Sequence, residues 1–517
     1  MSQEIEIRLA VRPDDLALLS AAPLIKRLVQ GTASTRRLCT TYYDTESFAF
    51  ARTGVSLRVR KKGRTYIQSV KEKNAGALAS ERSEWESPLP SSQPDLRFIP
   101  DPDARERLIA LAEGKAIGPT IETEIRRTTR HLKTETGDEV EFAIDRGEIR
   151  TLVNGRETLA ISEVELELKH GSPAALYMIA RALSEEAAIT VSTESKSERG
   201  LRAIEGRGLM TFKAGRLVLP ANATAEDAFR ATLMHCLRHI AQNTAAVAEG
   251  RSVEGLHQLR VGLRRLRAGF SAFGEAFEGH ALDDLKASAK TIARAFGETR
   301  NLDVFATELL PPVEKAAPER TGIAELRMQL NMLRDASWDR TSALAGSDTF
   351  TRFLLDLAAA AESRIWRENA DAVRIAAFTR PAKELACEAL KKRDRKARKR
   401  AKHLSALTTE ERHSLRIALK KIRYAAEFFA SLFPPKDVTD YVKKLSDTQD
   451  VFGALNDSAT VDEILTHIQK HAIMETSAEF REGAAFMEGW HVSRVGLAWK
   501  DAKGRWKRLA KSEPFWA

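Results

Sequence analysis

Apolar and charged residues alternate through the first two hundred positions. Glu4-Ile5-Glu6-Ile7-Arg8 sets the pattern: Glu4, Glu6 and Arg8 occupy every second position, with Ile5, Ile7 and Leu9 between them. Successive side chains of a β-strand point to opposite faces, so this segment predicts a strand with one charged and one apolar face. The alternation returns at Arg58, Arg60 and Lys62, at Lys71 and Lys73, and at Glu84 and Glu86 around Trp85. It returns again at Thr123, Ile125 and Arg127 and at Glu139, Glu141 and Asp145. The densest case is Glu163, Glu165, Glu167 and Lys169, opposite Val164, Leu166 and Leu168. Short strands at regular spacing predict an antiparallel sheet or barrel.

The charged faces are sorted into acidic strands and basic strands, whereas strands half in water normally mix Thr, Ser, Gln and Lys. A closed barrel with a polar interior accounts for the sorting, its apolar exterior covered by helices around Pro13–Val29 and Pro173–Ala188. Carboxylates facing cations inside such a barrel suit a metal–polyphosphate complex. Carboxylates hold hard divalent cations, and Arg or Lys take the remaining phosphate oxygens.

From about Ala221 the apolar period lengthens to that of a helix, after a connection over 202–222 containing Gly206, Gly208, Gly215 and Pro220. His257-Gln258-Leu259-Arg260 recurs as His413-Ser414-Leu415-Arg416, 156 positions later. At the same offset Arg264 meets Lys420, Arg267 meets Arg423, and Phe296-Gly297 meets Phe452-Gly453. A constant offset without gaps predicts a duplicated helical unit. His257, Arg260, Arg264 and Arg267 share one helix face, as do His413, Arg416, Lys420 and Arg423. Between the copies, Lys391–Lys402 places nine cations in twelve residues. The surrounding helical pattern makes this a basic helix lining the same groove rather than a disordered arm.

Charge sharpens the division. Residues 1–210 hold 32 basic and 32 acidic side chains and residues 211–517 hold 50 and 40, so the net charge of +10 sits in the second part. Such an excess calls for a polyanion: phosphate polymer, nucleic acid or anionic lipid. Cys39, Cys236 and Cys387 are too few and too scattered for a disulfide framework or zinc site. The start lacks a signal-peptide pattern and no stretch reaches the ~20 apolar residues of a membrane span, which predicts a cytoplasmic protein. No GxxxxGK[ST], GxSxG or HExxH occurs, which excludes a P-loop and those hydrolase chemistries.

Residues 1–205 resemble a CYTH domain of the triphosphate tunnel metalloenzyme superfamily. The resemblance rests on Glu4-Ile5-Glu6-Ile7-Arg8, Tyr42-Tyr43-Asp44-Thr45, Gly54, Leu57-Arg58-Val59-Arg60, Lys71, Glu84 and Glu86. It continues through Asp145-Arg146-Gly147, Glu163-Val164-Glu165-Leu166-Glu167 and the Ser195–Gly200 segment. It implies an eight-stranded antiparallel tunnel that binds a triphosphate and Mg²⁺ or Mn²⁺. Glu4, Glu6, Glu165 and Glu167 would then be metal carboxylates, and Arg8, Arg58, Arg60, Lys71, Arg127 and Lys196 phosphate ligands. Glu4, Glu6, Arg8 and Lys71 would carry catalysis, Glu84 and Glu86 would orient cations, and Glu163, Asp145 and Lys73 are further candidates. The family usually has Lys where this chain has Arg8. Arg keeps the charge but does not exchange a proton near neutral pH.

After a linker over 206–220, residues 221–517 resemble a CHAD domain through the paired HxxR motifs, Lys420 to Tyr424, and Pro514-Phe515-Trp516. That resemblance implies two pseudo-symmetric four-helix bundles around a basic groove that binds inorganic polyphosphate. The groove residues would be His257, Arg260, Arg264, Arg267, His413, Arg416, Lys420 and Arg423. The expected fold is therefore α+β, a β tunnel followed by an all-α domain. The expected function is a metal-dependent inorganic triphosphatase carrying a polyphosphate-binding domain. Adenylate cyclase, nucleoside or thiamine triphosphatase, and a non-catalytic polyphosphate scaffold stand as alternatives. Nucleic acid is a lesser candidate partner.

Overall fold

The computed structural model describes residues 2–73, 76–274, 276–277, 280–471 and 477–516. The chain falls into two compact units. The first takes residues 1–211 with Ala241–Ala246 and Ala345–Ser363, and the second takes the remainder.

In the first unit β1 (Ser2–Val11) is followed by α1 (Leu16–Ser20), α2 (Pro23–Leu28), β2 (Val29–Thr45) and α3 (Ala49–Arg52). Then come β3 (Val55–Lys62), β4 (Thr65–Lys73), β5 (Ser80–Leu89), α4 (Pro102–Ala112), β6 (Ile117–Lys133), β7 (Glu139–Thr151) and β8 (Thr158–His170). α5 (Ala174–Glu186), β9 (Ile189–Val191) and α6 (Lys196–Ile204) complete it. The strands pair in the order β5-β4-β3-β2-β6-β7-β8-β1, and β5 also pairs with β1, so eight antiparallel strands close on themselves. β9 adds to β1 outside the ring. β1 is the closing strand: it sets Glu4 opposite Arg82 of β5, and Glu6 and Arg8 opposite Glu167 and Glu165 of β8.

Every second residue of these strands faces inward, and the predicted parities hold. The apolar parity points out and is covered. α1, α2 and α5 lie against β1, β6 and β8, over Ile7, Leu9, Phe142, Val164 and Leu166, all fully buried. α3 and α4 cover Tyr43, Val55, Leu57, Val59, Val70 and Trp85 in a second cluster. Part of the wall is reversed. Ile121, Ile125, Ile149 and Ile161 point inward around Ile204 of α6, while Arg37, Glu124, Glu148 and Arg150 form ion pairs on the uncovered outer face.

The helical part comprises α7 (Ala225–Ala248), α8 (Val253–Phe273), α9 (Asp283–Val304), α10 (Pro311–Ala316) and α11 (Thr321–Ala345). α12 (Asp348–Ser363) belongs to the first unit and packs on α5, where Arg181 pairs with Asp356 at 3.0 Å. α13 (Ala372–Thr379), α14 (Ala382–Arg400), α15 (Thr409–Phe429), α16 (Pro435–His471) and α17 (Ala478–Ala510) follow. The repeat is visible in the elements. α15 starts and ends at the offset of 156 from α8, and α14, α16 and α17 follow the order of α7, α9 and α11. α8 packs on α9 and α15, and α15 on α14 and α16. No described helix is long and apolar enough to cross a membrane.

Candidate functional site

The barrel encloses a cavity of about 950 Å³ lined by inward side chains of all eight strands and of α6. Glu4, Glu6 and Arg8 reach it from β1, Arg58 and Arg60 from β3, Lys71 from β4, and Arg127 from β6. Glu165 and Glu167 enter from β8 and Lys196 from the first turn of α6. Every tunnel residue singled out as catalytic, metal-binding or phosphate-binding therefore lines one cavity.

The side chains form an interlocked ion-pair network. Lys71 Nζ lies 2.6 Å from both carboxylate oxygens of Glu4 and 3.3 Å from Glu84. Glu84 also takes Arg58 at 3.1 Å. Glu6 faces Arg8 at 3.3 Å and Arg82 at 3.5 Å. Across the tunnel, Arg127 grips Asp145 with two hydrogen bonds of 2.7 and 2.6 Å and donates a third to Glu165. Lys196 Nζ sits among Asp145 at 2.8 Å, Glu165 at 2.5 Å and Glu163. Lys169 holds Glu167 at 2.6 Å. Glu86 accepts from Ser69 at 2.9 Å rather than from a cation, while Glu84 lies between Lys71 and Arg58.

Electrostatics follow from burial and crowding. Burial opposes the charge of Arg8, yet Glu6, Glu165, Glu198 and Glu163 raise its pKa above the ordinary value. Arg60 is lowered to about 10, first by neighbouring Arg58 and then by burial. Burial would raise Glu165, but Arg127 and Lys196 hold it well below the usual carboxylate range. Glu167 is shifted up by burial, which Lys169 only partly offsets. Tyr42 is pulled down against burial by Arg58, Lys196 and Arg60.

α6 positions Lys196. Ser195 caps it: Ser195 Oγ accepts from the Glu198 backbone N–H at 3.2 Å, and Glu198 accepts from the Ser195 N–H at 2.7 Å. Gly200 lets the helix settle into the tunnel end, because a Cβ there would meet Ile121 at 2.7 and 2.8 Å. Glu198 binds Lys73 at 2.7 Å and is lowered to about 2, burial notwithstanding, by Lys73 and the capping bond. Arg82, Glu141, Lys169 and Glu198 were not singled out as site residues from the sequence. Arg82 shares the parity of Glu84 and Glu86, and Glu198 lies inside the Ser195–Gly200 motif, so both carried a readable signal.

The donor set suits a hard divalent cation, since the inward acids offer only carboxylate oxygens. Glu4, Glu6, Glu165 and Glu167, the expected metal carboxylates, all line the cavity. A tighter group is Asp145, Glu163 and Glu165, whose oxygens lie within 4.8 Å of one another. Lys196 occupies the middle of it, a cation standing where acids alone would repel.

The helical unit brings part of the predicted stripe together. Lys420 is lowered to about 7 by burial and by Arg416, Arg264, Arg423 and Arg260, so these five cations of α8 and α15 lie within electrostatic reach of one another. Arg260 is lowered to about 10 by burial, Arg264 and Arg300. Burial and Arg300 lower His257. Arg267 diverges, acting with Arg393, Lys396 and Arg400 on Lys421. The basic run thus contributes Arg393 and Lys396 to a flanking cavity with Arg267 and Lys421, a correction to its expected place in the shared groove.

Comparison with known proteins agrees with this division. A CYTH domain model matches residues 2–201, and a CHAD domain model matches 231–466. No curated protein matches. The CHAD domain from the plant Ricinus communis is 26% identical with a TM-score of 0.52, covering 59% of this chain and 98% of its own. A putative adenylyl cyclase from Hippeastrum, described as having a dominant triphosphatase activity, is 18% identical with a TM-score of 0.25, covering 40% and 97%. PptA from Streptomyces chartreusis is 13% identical with a TM-score of 0.38, covering 55% and 100%. The chain thus carries a CYTH domain followed by a CHAD domain.

Proposed function

We propose that this protein is a metal-dependent inorganic triphosphatase that cleaves tripolyphosphate to phosphate and pyrophosphate in its tunnel, while its helical unit binds inorganic polyphosphate. The observation that carries the reading is the single cavity in which Glu4, Glu6, Glu165 and Glu167 face Arg8, Arg58, Arg60, Lys71, Arg127 and Lys196. A triphosphate is a dense, linear run of negative charge, and this lining offers it cations along its length. Glu4, Glu6, Glu165 and Glu167 would hold Mg²⁺ or Mn²⁺, which supplies charge neutralisation at the phosphate oxygens. Arg58 and Arg60 bind from one wall, and Arg127 and Lys196 from the other. Lys71, held by Glu4 and Glu84, would stabilise charge that develops on the leaving phosphate as water adds in line and the P–O–P bond breaks.

A second reading has its own support. An adjoining cleft shares Tyr42, Lys71 and Arg82 with the tunnel and has Tyr43, Phe48, Val55, Leu57 and Leu201 in its wall beside the polar Asp44, Lys73 and Glu198. Apolar walls beside a phosphate site suit the organic part of a nucleoside or thiamine triphosphate, or of an ATP substrate for cyclisation. One assay separates the readings: purified protein with Mg²⁺ or Mn²⁺, offered tripolyphosphate, ATP and thiamine triphosphate. Phosphate release from tripolyphosphate, lost in Glu4→Ala and Glu165→Ala, supports the first. Preferred turnover of ATP or thiamine triphosphate, or formation of cyclic AMP, replaces it with the second. No turnover with polyphosphate still bound leaves a scaffold.

A further inference from the structure

The internal repeat supplies its own comparison. Besides the shared groove, each copy has a flanking cavity, of about 1410 Å³ in the first and about 1490 Å³ in the second. At the repeat offset Arg267 corresponds to Arg423, Arg265 to Lys421, Ser271 to Glu427, Lys286 to Val442, and Lys290 to Ser446. These pairs line the two cavities as counterparts.

The second cavity has its two central arginines paired from within. Glu427 takes Arg423 at 3.1 Å with one oxygen and Arg265 with the other. Arg216 and Leu217 of the connecting segment also line it. The first cavity has Ser271 where the second has that glutamate, and lysines where the second has Val442 and Ser446. Among the described residues, Arg267, Lys290, Lys396 and Lys421 make no ion pair. Among the described residues, the carboxylate in its lining, Glu388, is engaged by Arg380 at 2.8 Å, and the lining Lys286 is paired with Asp283 at 3.2 Å. Arg393 is pinned in the wall, donating to the Ala389 carbonyl at 2.8 Å and to that of Ser271. Burial together with Lys396, Arg393, Arg400 and Arg267 pushes Lys421 below the usual lysine value. Phe270, Phe273, Leu385 and Ala389 give the cavity an apolar floor.

Of two equivalent cavities, the second clamps its two central arginines with a carboxylate while the first carries twice as many cations and leaves Arg267 and Lys421 without one, which indicates that the charge of the first serves a ligand. We infer that the cavity between Arg267, Lys396 and Lys421 binds an organic polyphosphate of the nucleoside polyphosphate class, at a site separate from the groove around Lys420. The cations take the phosphates, and the apolar floor meets the organic part, to which an inorganic chain has nothing to offer. The inference does not depend on the triphosphatase reading and survives its failure.

The test is calorimetric titration of full-length protein with the β,γ-methylene analogue of ATP, in an Arg58→Ala, Arg60→Ala background that removes binding in the tunnel. One molecule should bind. Lys396→Ala with Lys421→Ala should weaken it at least tenfold, and so should Ser271→Glu, which installs the residue of the second copy. Arg264→Ala should leave it unchanged. Photolabelling of the unmodified chain with 2-azido-ATP should mark peptides from 265–273 or 382–400. Absence of binding, indifference to Ser271→Glu, equal competition by tripolyphosphate, or labelling confined to residues 1–205 would each overturn the proposal.

Discussion

Arg8 is the residue on which the tunnel's chemistry turns. Its side chain is only 4% exposed, is held by Glu6, and has a pKa raised by four carboxylates. A guanidinium so placed remains charged at every working pH, so Arg8 binds and neutralises but moves no proton. Arg8→Lys should therefore keep tripolyphosphate hydrolysis within about tenfold, and Arg8→Ala should lower it by on the order of 100-fold, the usual loss for one preorganised electrostatic contact. Steady-state phosphate release decides; equal activity in all three proteins would remove Arg8 from the machinery. A second residue-scale test uses the repeat. A Cβ on Gly297 would lie 2.8 Å from Arg260 Nη1, whereas one on Gly453 meets nothing within 4 Å among the described residues. Gly297→Ala should displace Arg260 and weaken polyphosphate binding severalfold, and Gly453→Ala should not; a filter-binding titration would show the contrast.

At the scale of elements, α6 transmits stability to the site. Ser195→Ala removes the capping box and should cost about 1 kcal/mol, read as a lower melting temperature. Because Lys196 follows the cap directly, kcat/KM for tripolyphosphate should fall as well, with Ser195→Thr restoring both. An unchanged melt would separate the cap from the fold. The strand faces were legible because β1, β3, β4, β5 and β8 carry charge at strict period two. Other elements were not. β2 and β6 each run to 17 residues, and residues 31–37 are exposed on both faces, so that stretch of Gly, Thr, Ser and Arg shows no apolar alternation. α3 spans four residues, too short to register a helical period. In the helical part the stripe on α8 was legible, but not that it splits. Arg264 and Arg267 lie three positions apart, and only the packing of α14 and α15 assigns them to different cavities.

For the whole molecule, pH should act in opposite senses on the two units. Glu165 is held well below its ordinary pKa and Glu198 is near 2. Both favour the fold fully above the unfolded carboxylate value, about 4.3, and lose that contribution as pH falls through their depressed values. The tunnel should thus lose stability as pH drops below about 4.5, measurable as acid unfolding that Glu198→Gln moderates. Lys420 shifts the other way. Its free value is about 7 against a usual 10.5, and a bound polyanion would restore the ammonium. Binding then takes up a proton between those values, so polyphosphate affinity should fall as pH rises from 7 to 10 and be flat below 7. Lys420→Arg should flatten the profile; a slope that persists in it would exclude Lys420 as the titrating group.

β1 closes the barrel by pairing Glu4 with Arg82 and Arg8 with Glu165, partners about 80 and 160 positions further along the chain. A chain emerging from the ribosome therefore holds one edge of its first strand unpaired until the eighth has been made. Such distant pairing is slow, and until it occurs β5 and β8 are open edges that other chains can extend. The substitution that best exposes this is Ile7→Asp, which buries a charge at a fully covered position. It should divert newly made protein into aggregates even where the helical unit still folds, as a shift from soluble to pelleted protein would reveal. The strand that carries the first two acids of the tunnel is also the latch on which the barrel's solubility depends.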